Sequence, residues 1–347
     1  MIFFVVFLAA SFVFAGTACA LSNESTARDL QIHADNAAAS GHYDEARKLY
    51  LQELDLLLAK GQLAAAGSVY SELGEITQIH GVFPAAESYY KKGLDLLKRH
   101  APPNDLRLVG AMDDLGWLYT TWGRLNDGSR LMDEAESRAN RAQPNDPGLI
   151  RHLDAQAAYL MVTGKYTEAQ RNWNRALQIG QSNYGLDSPM YDTVLMHSGQ
   201  ASALYGDYDT AAHKFRQFLA VEDRVTNTPT PTRSAAAAEL AHIYTRLHKF
   251  SEARPWFDQA LVPFKTNPDE APLVHSLVLS YLGDFYMVQR DWNNAQLQYR
   301  EALNLEQRVL GENNAVASSM ISLSNALKKL HRKDLARQLV AQARAIV

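Results

Sequence analysis

The chain has 347 residues, 47% hydrophobic and 21% charged, with a formal net charge of −4. That is globular composition with apolar mass for a large core, too long for one simple globule, so several domains or an extended array are expected. No basic run points to nucleic acid, and no acidic tail points to a disordered arm.

The first element is "MIFFVVFLAASFVFAGTACA", residues 1–20, with no charged side chain. Its apolar core, Ile2 to Ala15, is short for a membrane span and ends in small residues. It therefore reads as a secretion signal, cleaved after Ala18-Cys19-Ala20. Export follows as the expectation: a periplasmic or secreted protein, with residues 1–20 as signal and 21–347 as the mature domain. Cys19 is the only cysteine, and "GTAC" loosely resembles a lipoprotein box. The alternatives are that Cys19 is lipidated, giving a lipoprotein, or that it leaves with the signal. In the second case the mature chain has no disulfide and no zinc–thiolate site.

From there on the chain repeats itself. A small residue stands four before a large one at Ala46/Tyr50, Ala86/Tyr90, Gly128/Met132, Ala169/Trp173, Ala211/Phe215, Ala253/Phe257, Ala295/Tyr299 and Ala336/Val340. Successive spacings are 40, 42, 41, 42, 42, 42 and 41. Pro147, Pro189, Pro231 and Pro272 fall 42, 42 and 41 apart, in polar stretches between helical patterns. Two independent signals with one period mark about eight stacked units over residues 27–347.

In the seventh unit Leu282, Gly283 and Tyr286 share one helical face. After a break at Gln289-Arg290, Trp292, Ala295, Tyr299, Ala302 and Leu303 share another. Small residues allow two helices to approach, and the aromatic ring fills the space beside them. No period-2 alternation appears, so no sheet is expected.

Leu115-Gly116-Trp117-Leu118-Tyr119 and Leu282-Gly283-Asp284-Phe285-Tyr286, with Leu73-Gly74 in part, resemble the tetratricopeptide repeat. The length near 42 and the "YREALNLEQRVLGENN" link resemble its kinesin light chain type. The resemblance covers about nine tenths of the chain. It implies an all-α, right-handed solenoid of about eight helix–turn–helix repeats, with a protein-binding groove lined by the first helix of each unit. In the kinesin light chain type, asparagines on that helix hold a bound peptide backbone. Here the matching places carry Glu72, Asp114, Ala155, His197, Glu239, Tyr281 and Ser322, and none is Asn.

No H-E-x-x-H, C-x-x-C, G-x-S-x-G, P-loop or G-x-G-x-x-G occurs, and no catalytic residue, metal ligand or cofactor is expected. Carboxylates cluster instead. Glu72, Glu75, Asp113, Asp114 and Asp154 fall on three consecutive first helices, with Trp117 among them. The expectation is one acidic strip with an aromatic anchor, suited to a basic protein or peptide partner. A solvated helix face is the alternative. His197, Gln200, His242 and Tyr281 continue the groove, as hydrogen-bonding or neutral lining. The functional reading is an exported scaffold for protein–protein interaction in the cell envelope. The alternatives are an enzyme or enzyme-regulatory subunit using the strip, or a carrier of a small apolar or glycan ligand.

Overall fold

The structure, a computed structural model, describes residues 26–39, 42–185, 189–225, 230–269 and 271–346. The leader, its cleavage site and Cys19 lie outside the described residues. Among the described residues every regular element is a helix. They are α1 (Ala27–Ala39), α2 (Tyr43–Ala59), α3 (Leu63–Ile79), α4 (Phe83–His100), α5 (Leu106–Thr121), α6 (Leu125–Ala139), α7 (Leu149–Val162), α8 (Tyr166–Tyr184) and α9 (Pro189–Tyr205). There follow α10 (Tyr208–Val225), α11 (Pro231–Arg246), α12 (Phe250–Ala260), α13 (Val262–Thr266), α14 (Pro272–Val288), α15 (Trp292–Leu310), α16 (Asn314–Lys329) and α17 (Lys333–Ile346).

Two compact units divide this chain, with the boundary between His197 and Ser198, inside α9. In the N-terminal unit α1 packs on α2, α3 on α4, α5 on α6 and α7 on α8. Each second helix also touches the next first helix, and α5 lies against both α3 and α7. In the C-terminal unit the pairs α11/α12, α14/α15 and α16/α17 stack in the same manner, with α11 against α14. This is the solenoid rule that each helical hairpin buries its apolar face on its neighbours.

The two sequence signatures meet in space. A Cβ built on Gly283 would lie 2.6 Å from the Tyr299 ring, and one on Gly74 would lie 2.7 Å from the Tyr90 ring. At Gly199 the Phe215 ring is 3.1 Å away. The glycine of the first helix is thus the seat for the aromatic of the second. The small residue four before that aromatic is fully buried in each unit, as at Ala46, Ala86, Ala169, Ala211, Ala253 and Ala295.

The aromatic also carries a polar handle that pins the pair. Tyr50 Oη donates to Asp35 at 2.6 Å, Tyr90 Oη to Gln78 at 3.0 Å, Trp173 Nε1 to Asp154 at 2.7 Å, and Tyr299 Oη to Asp284. Each partner sits on the first helix of the same pair.

The spaced prolines fall at helix starts. Pro189, Pro231 and Pro272 open α9, α11 and α14, where a missing N–H costs nothing, and Pro147 stands in the turn before α7. Among the described residues one second helix is broken. At Leu261 the sixth divides into α12 and α13, where Pro263, in the first turn of α13, has no N–H with which to continue the bonding of α12.

Candidate functional site

Helices α3, α5 and α7 lie side by side and open a cavity of about 260 Å³, lined by Ser68, Glu72, Gly110, Asp114, Arg151 and His152 among others. Arg151, in the first turn of α7, reaches back to Asp114 of α5, with Nη2 at 3.0 Å and 3.2 Å from the two carboxylate oxygens. The Asp114 charge above all, with Glu72 and Glu75, holds the guanidinium firmly protonated. Burial raises Glu72 to about 7 and Glu75 to about 8; the Asp114 charge adds to both and the Glu72 charge adds to Glu75, with Arg151 opposing. Arg151 keeps 52% of its side chain in solvent, so this ion pair faces water and is open to exchange. The Ser68 hydroxyl is buried without a partner among the described residues. Glu72 and Asp114 line the cavity opposite Arg151, and its other arginine, Arg107, is paired with Asp105.

The expected strip is therefore only partly assembled. Glu72 and Asp114 line the cleft and Glu75 lies within reach of their charges, but Asp113 does not join them. It is 1% exposed and bonds His152 Nδ1 at 2.9 Å, while His152 Nε2 meets Glu136 of α6 at 2.8 Å. One residue step from Asp114 turns Asp113 about 100° around the helix, toward His152 and Glu136. Burial alone would lower the His152 pKa, but its two carboxylate partners win and raise it to about 9. Burial pushes Asp113 up to about 6 against the His152 bond. The result is an ion triad tying α5, α6 and α7.

Asp154 is likewise engaged elsewhere. One oxygen accepts from the Trp173 indole and the other lies 2.6 Å from His197 Nδ1. Trp117 is half-buried on α5.

In the C-terminal unit Gln200 Nε2 donates to Glu239 at 3.0 Å, and Glu239 also accepts a bond from Tyr281. His242 stacks on Tyr281 at 4.2 Å. Burial pushes Glu239 up to about 7, against these bonds, and burial lowers His242. Gln200, His242 and Tyr281 are thus brought together around Glu239, which is 5% exposed.

The residues absent from the expected site are Arg151, His152 and Glu136. All three belong to the next first helix or the intervening second helix. Their signal in sequence is a charge one unit later and about one helical turn earlier than the acid it meets, as at Asp114 and Arg151. No group of three or more His, Cys, Asp or Glu placed to hold a metal ion occurs among the described residues.

Such stacked hairpins define a class of helical-repeat interaction proteins. Over residues 275–347 the chain matches the tetratricopeptide repeat family, so this segment is a tetratricopeptide repeat. No curated protein matches the chain in sequence. Among solved structures it is similar to a Rap protein complexed with Competence and Sporulation Factor, with TM-score 0.62 and 13% identity, covering 94% of this chain and 88% of that one. It is also similar to the apo form of RapI, with TM-score 0.55 and 11% identity, covering 80% of this chain and 96% of that one. A partial likeness is to the kinesin light chain-type repeats of Podospora anserina, with TM-score 0.45 and 19% identity, covering 58% of this chain and 95% of that one. At these identities the Rap likenesses establish the fold.

Proposed function

We propose that the protein is an interaction scaffold that holds a basic segment of a partner protein in the α3/α5/α7 cleft. One observation carries this: Glu72 and Asp114 line a cavity with the Glu75 charge close by, and the arginine that answers them, Arg151, is half in solvent, while the cavity's other arginine, Arg107, is paired with Asp105. A lysine or arginine of the partner takes over the Asp114 pairing and lets Arg151 swing to water. Displacing an exposed ion pair costs little, whereas adding charge to Glu72 and Glu75 relieves their mutual repulsion. Trp117 on the same helix supplies an apolar edge. A Rap protein of this fold is solved with Competence and Sporulation Factor bound, which supports holding another molecule as a use of the architecture. The location proposed is the cell envelope, on the strength of the uncharged leader and Ala18-Cys19-Ala20.

The test is fluorescence anisotropy of the full chain with a labelled Lys/Gly peptide and its Glu/Gly counterpart, at low and high salt. Binding of the Lys peptide alone, weakened by salt and by Glu72→Gln with Asp114→Asn, is expected. Equal binding of both peptides, or an unaffected variant, overturns the reading. For location, intact mass of the native protein from the envelope fraction should show a chain beginning at Leu21 or at lipidated Cys19; a full Met1 chain in the cytoplasm contradicts it.

A further inference from the structure

The tight turns between first and second helices carry a residue in the left-handed region, where a side chain is strained and glycine is not. At Gly81, Gly123, Gly164 and Gly206 that residue is glycine, with φ of 75°, 83°, 79° and 90°. In the last three units it is His248, Arg290 and His331, with φ of 59°, 63° and 60°. They lie 42 and 41 residues apart, at one structural position in consecutive units. All three side chains are exposed. His248 meets the Phe250 ring edge-on at 5.7 Å, but no ring contact or ion pair among the described residues accounts for Arg290 or His331, and the strain is accepted three times for residues that share basic character.

Their surroundings have the same character. Arg246, Lys249, Lys328, Lys329, Arg332 and Lys333 stand in or beside these turns, exposed, and none makes an ion pair among the described residues. The acids at the same edge, Glu252, Asp291 and Asp334, are fewer; Asp291 is engaged in capping α15 and Asp334 in pairing with Arg337. Apolar side chains are interleaved with the bases. Val288 is 41% exposed just before Arg290, and Leu335 is 50% exposed just after Lys333. Trp292 carries Lys329 over its ring at 5.7 Å.

We infer that the turn edge of the C-terminal unit is a docking surface for an anionic phospholipid membrane. Basic side chains meet the phosphate headgroups, while Val288, Leu335 and Trp292 enter the interface beside them. A soluble polyanion matches the charge but has no use for exposed aliphatic groups. No helix among the described residues is long and apolar enough to cross a membrane, so this contact is peripheral. It is independent of the acidic cleft, which lies on different helices.

The test is co-sedimentation of the full chain with phosphatidylcholine vesicles, with and without phosphatidylglycerol. Wild type should sediment with the anionic vesicles, less so as salt rises. The triple change His248→Gly, Arg290→Gly, His331→Gly relieves the backbone and should raise the thermal midpoint while cutting vesicle binding several-fold. A merely structural role predicts both move together or binding stays put. Val288→Ser with Leu335→Ser should also weaken vesicle binding, and should leave binding to a soluble heparin fragment unchanged. Because every variant carries the same N-terminus as wild type, residues 1–20 cannot produce the differences between them. Equal binding to neutral vesicles, no loss in the triple variant, or no loss in the Val288/Leu335 variant overturns the inference.

Discussion

Matching positions in the two units do opposite things. Asp114 in the N-terminal unit and Glu239 in the C-terminal unit occupy the same place on a first helix, three units apart. Asp114 looks into an open cleft and is met by an arginine half in water. Glu239 is closed over by Gln200 and Tyr281, and burial makes its charge costly. The carboxylate is common to both, and its exposure decides its role. An acid met by solvent and a mobile counter-charge can exchange partners. An acid roofed by neutral hydrogen-bonding groups holds helices together and titrates near neutrality. The turns differ as well: those as far as Gly206 use glycine, and the last three, all in the C-terminal unit, use basic residues at some conformational cost.

The largest expected effect tests whether the two units behave independently. Trp173 and Phe257 are both fully buried, one in each unit. Trp173→Ala and Phe257→Ala should each cost about 3–5 kcal/mol. In chemical denaturation each variant should shift the unfolding of its own unit and leave the other's signal in place. A single shared transition shifted equally by both would erase the distinction.

Next comes the ion triad, which has its counterpart only in neutral form around Glu239. His152 binds its proton more tightly in the folded protein than in the unfolded chain, where the ordinary value is 6.5. Its contribution is full below that value and is lost as pH rises through about 9. Thermal midpoints measured from pH 6 to about 10 should therefore fall in wild type. In His152→Gln that slope should flatten, with a loss of about 3 kcal/mol at neutral pH from the stranded Asp113.

Glu239 gives a smaller effect with the same sign. Its raised pKa means the folded state keeps the proton, so its stabilising share is full below about 4.5 and lost as pH rises through about 7. Glu239→Gln should be close to wild type at acid pH and more stable than it at pH above about 8, by differential scanning fluorimetry. A variant less stable at pH above about 8 would show that the charge itself is needed there.

The smallest effects are on binding. Trp117→Ala and Asp114→Asn should leave the thermal midpoint nearly unchanged while lowering affinity for a basic peptide about two- to tenfold. The Asp114 effect should shrink with salt and the Trp117 effect should persist. The same affinity loss in Glu239→Gln would mean that the two positions are not distinguished by exposure.

The repeat, its helical hairpins and the proline-marked boundaries were legible in the sequence because they rest on spacing. A period near 42 and a small-to-aromatic interval of four are properties of the chain taken alone. The helical face carrying Glu72 and Asp114 followed from the 100° step between residues. What the step could not supply is which neighbour stands opposite. Asp113 and Asp114 differ by one residue, and that turn sends one to a buried histidine and the other to a half-exposed arginine, both on α7. Likewise Asp154, borne by α7, is held by His197 of α9 and by Trp173 of α8, partners that its own helix does not specify. Intrahelical periodicity is set by local backbone geometry. The pairing of charges across helices depends on long-range packing, and so only the tertiary structure decided which acids stay open to a partner and which serve the fold.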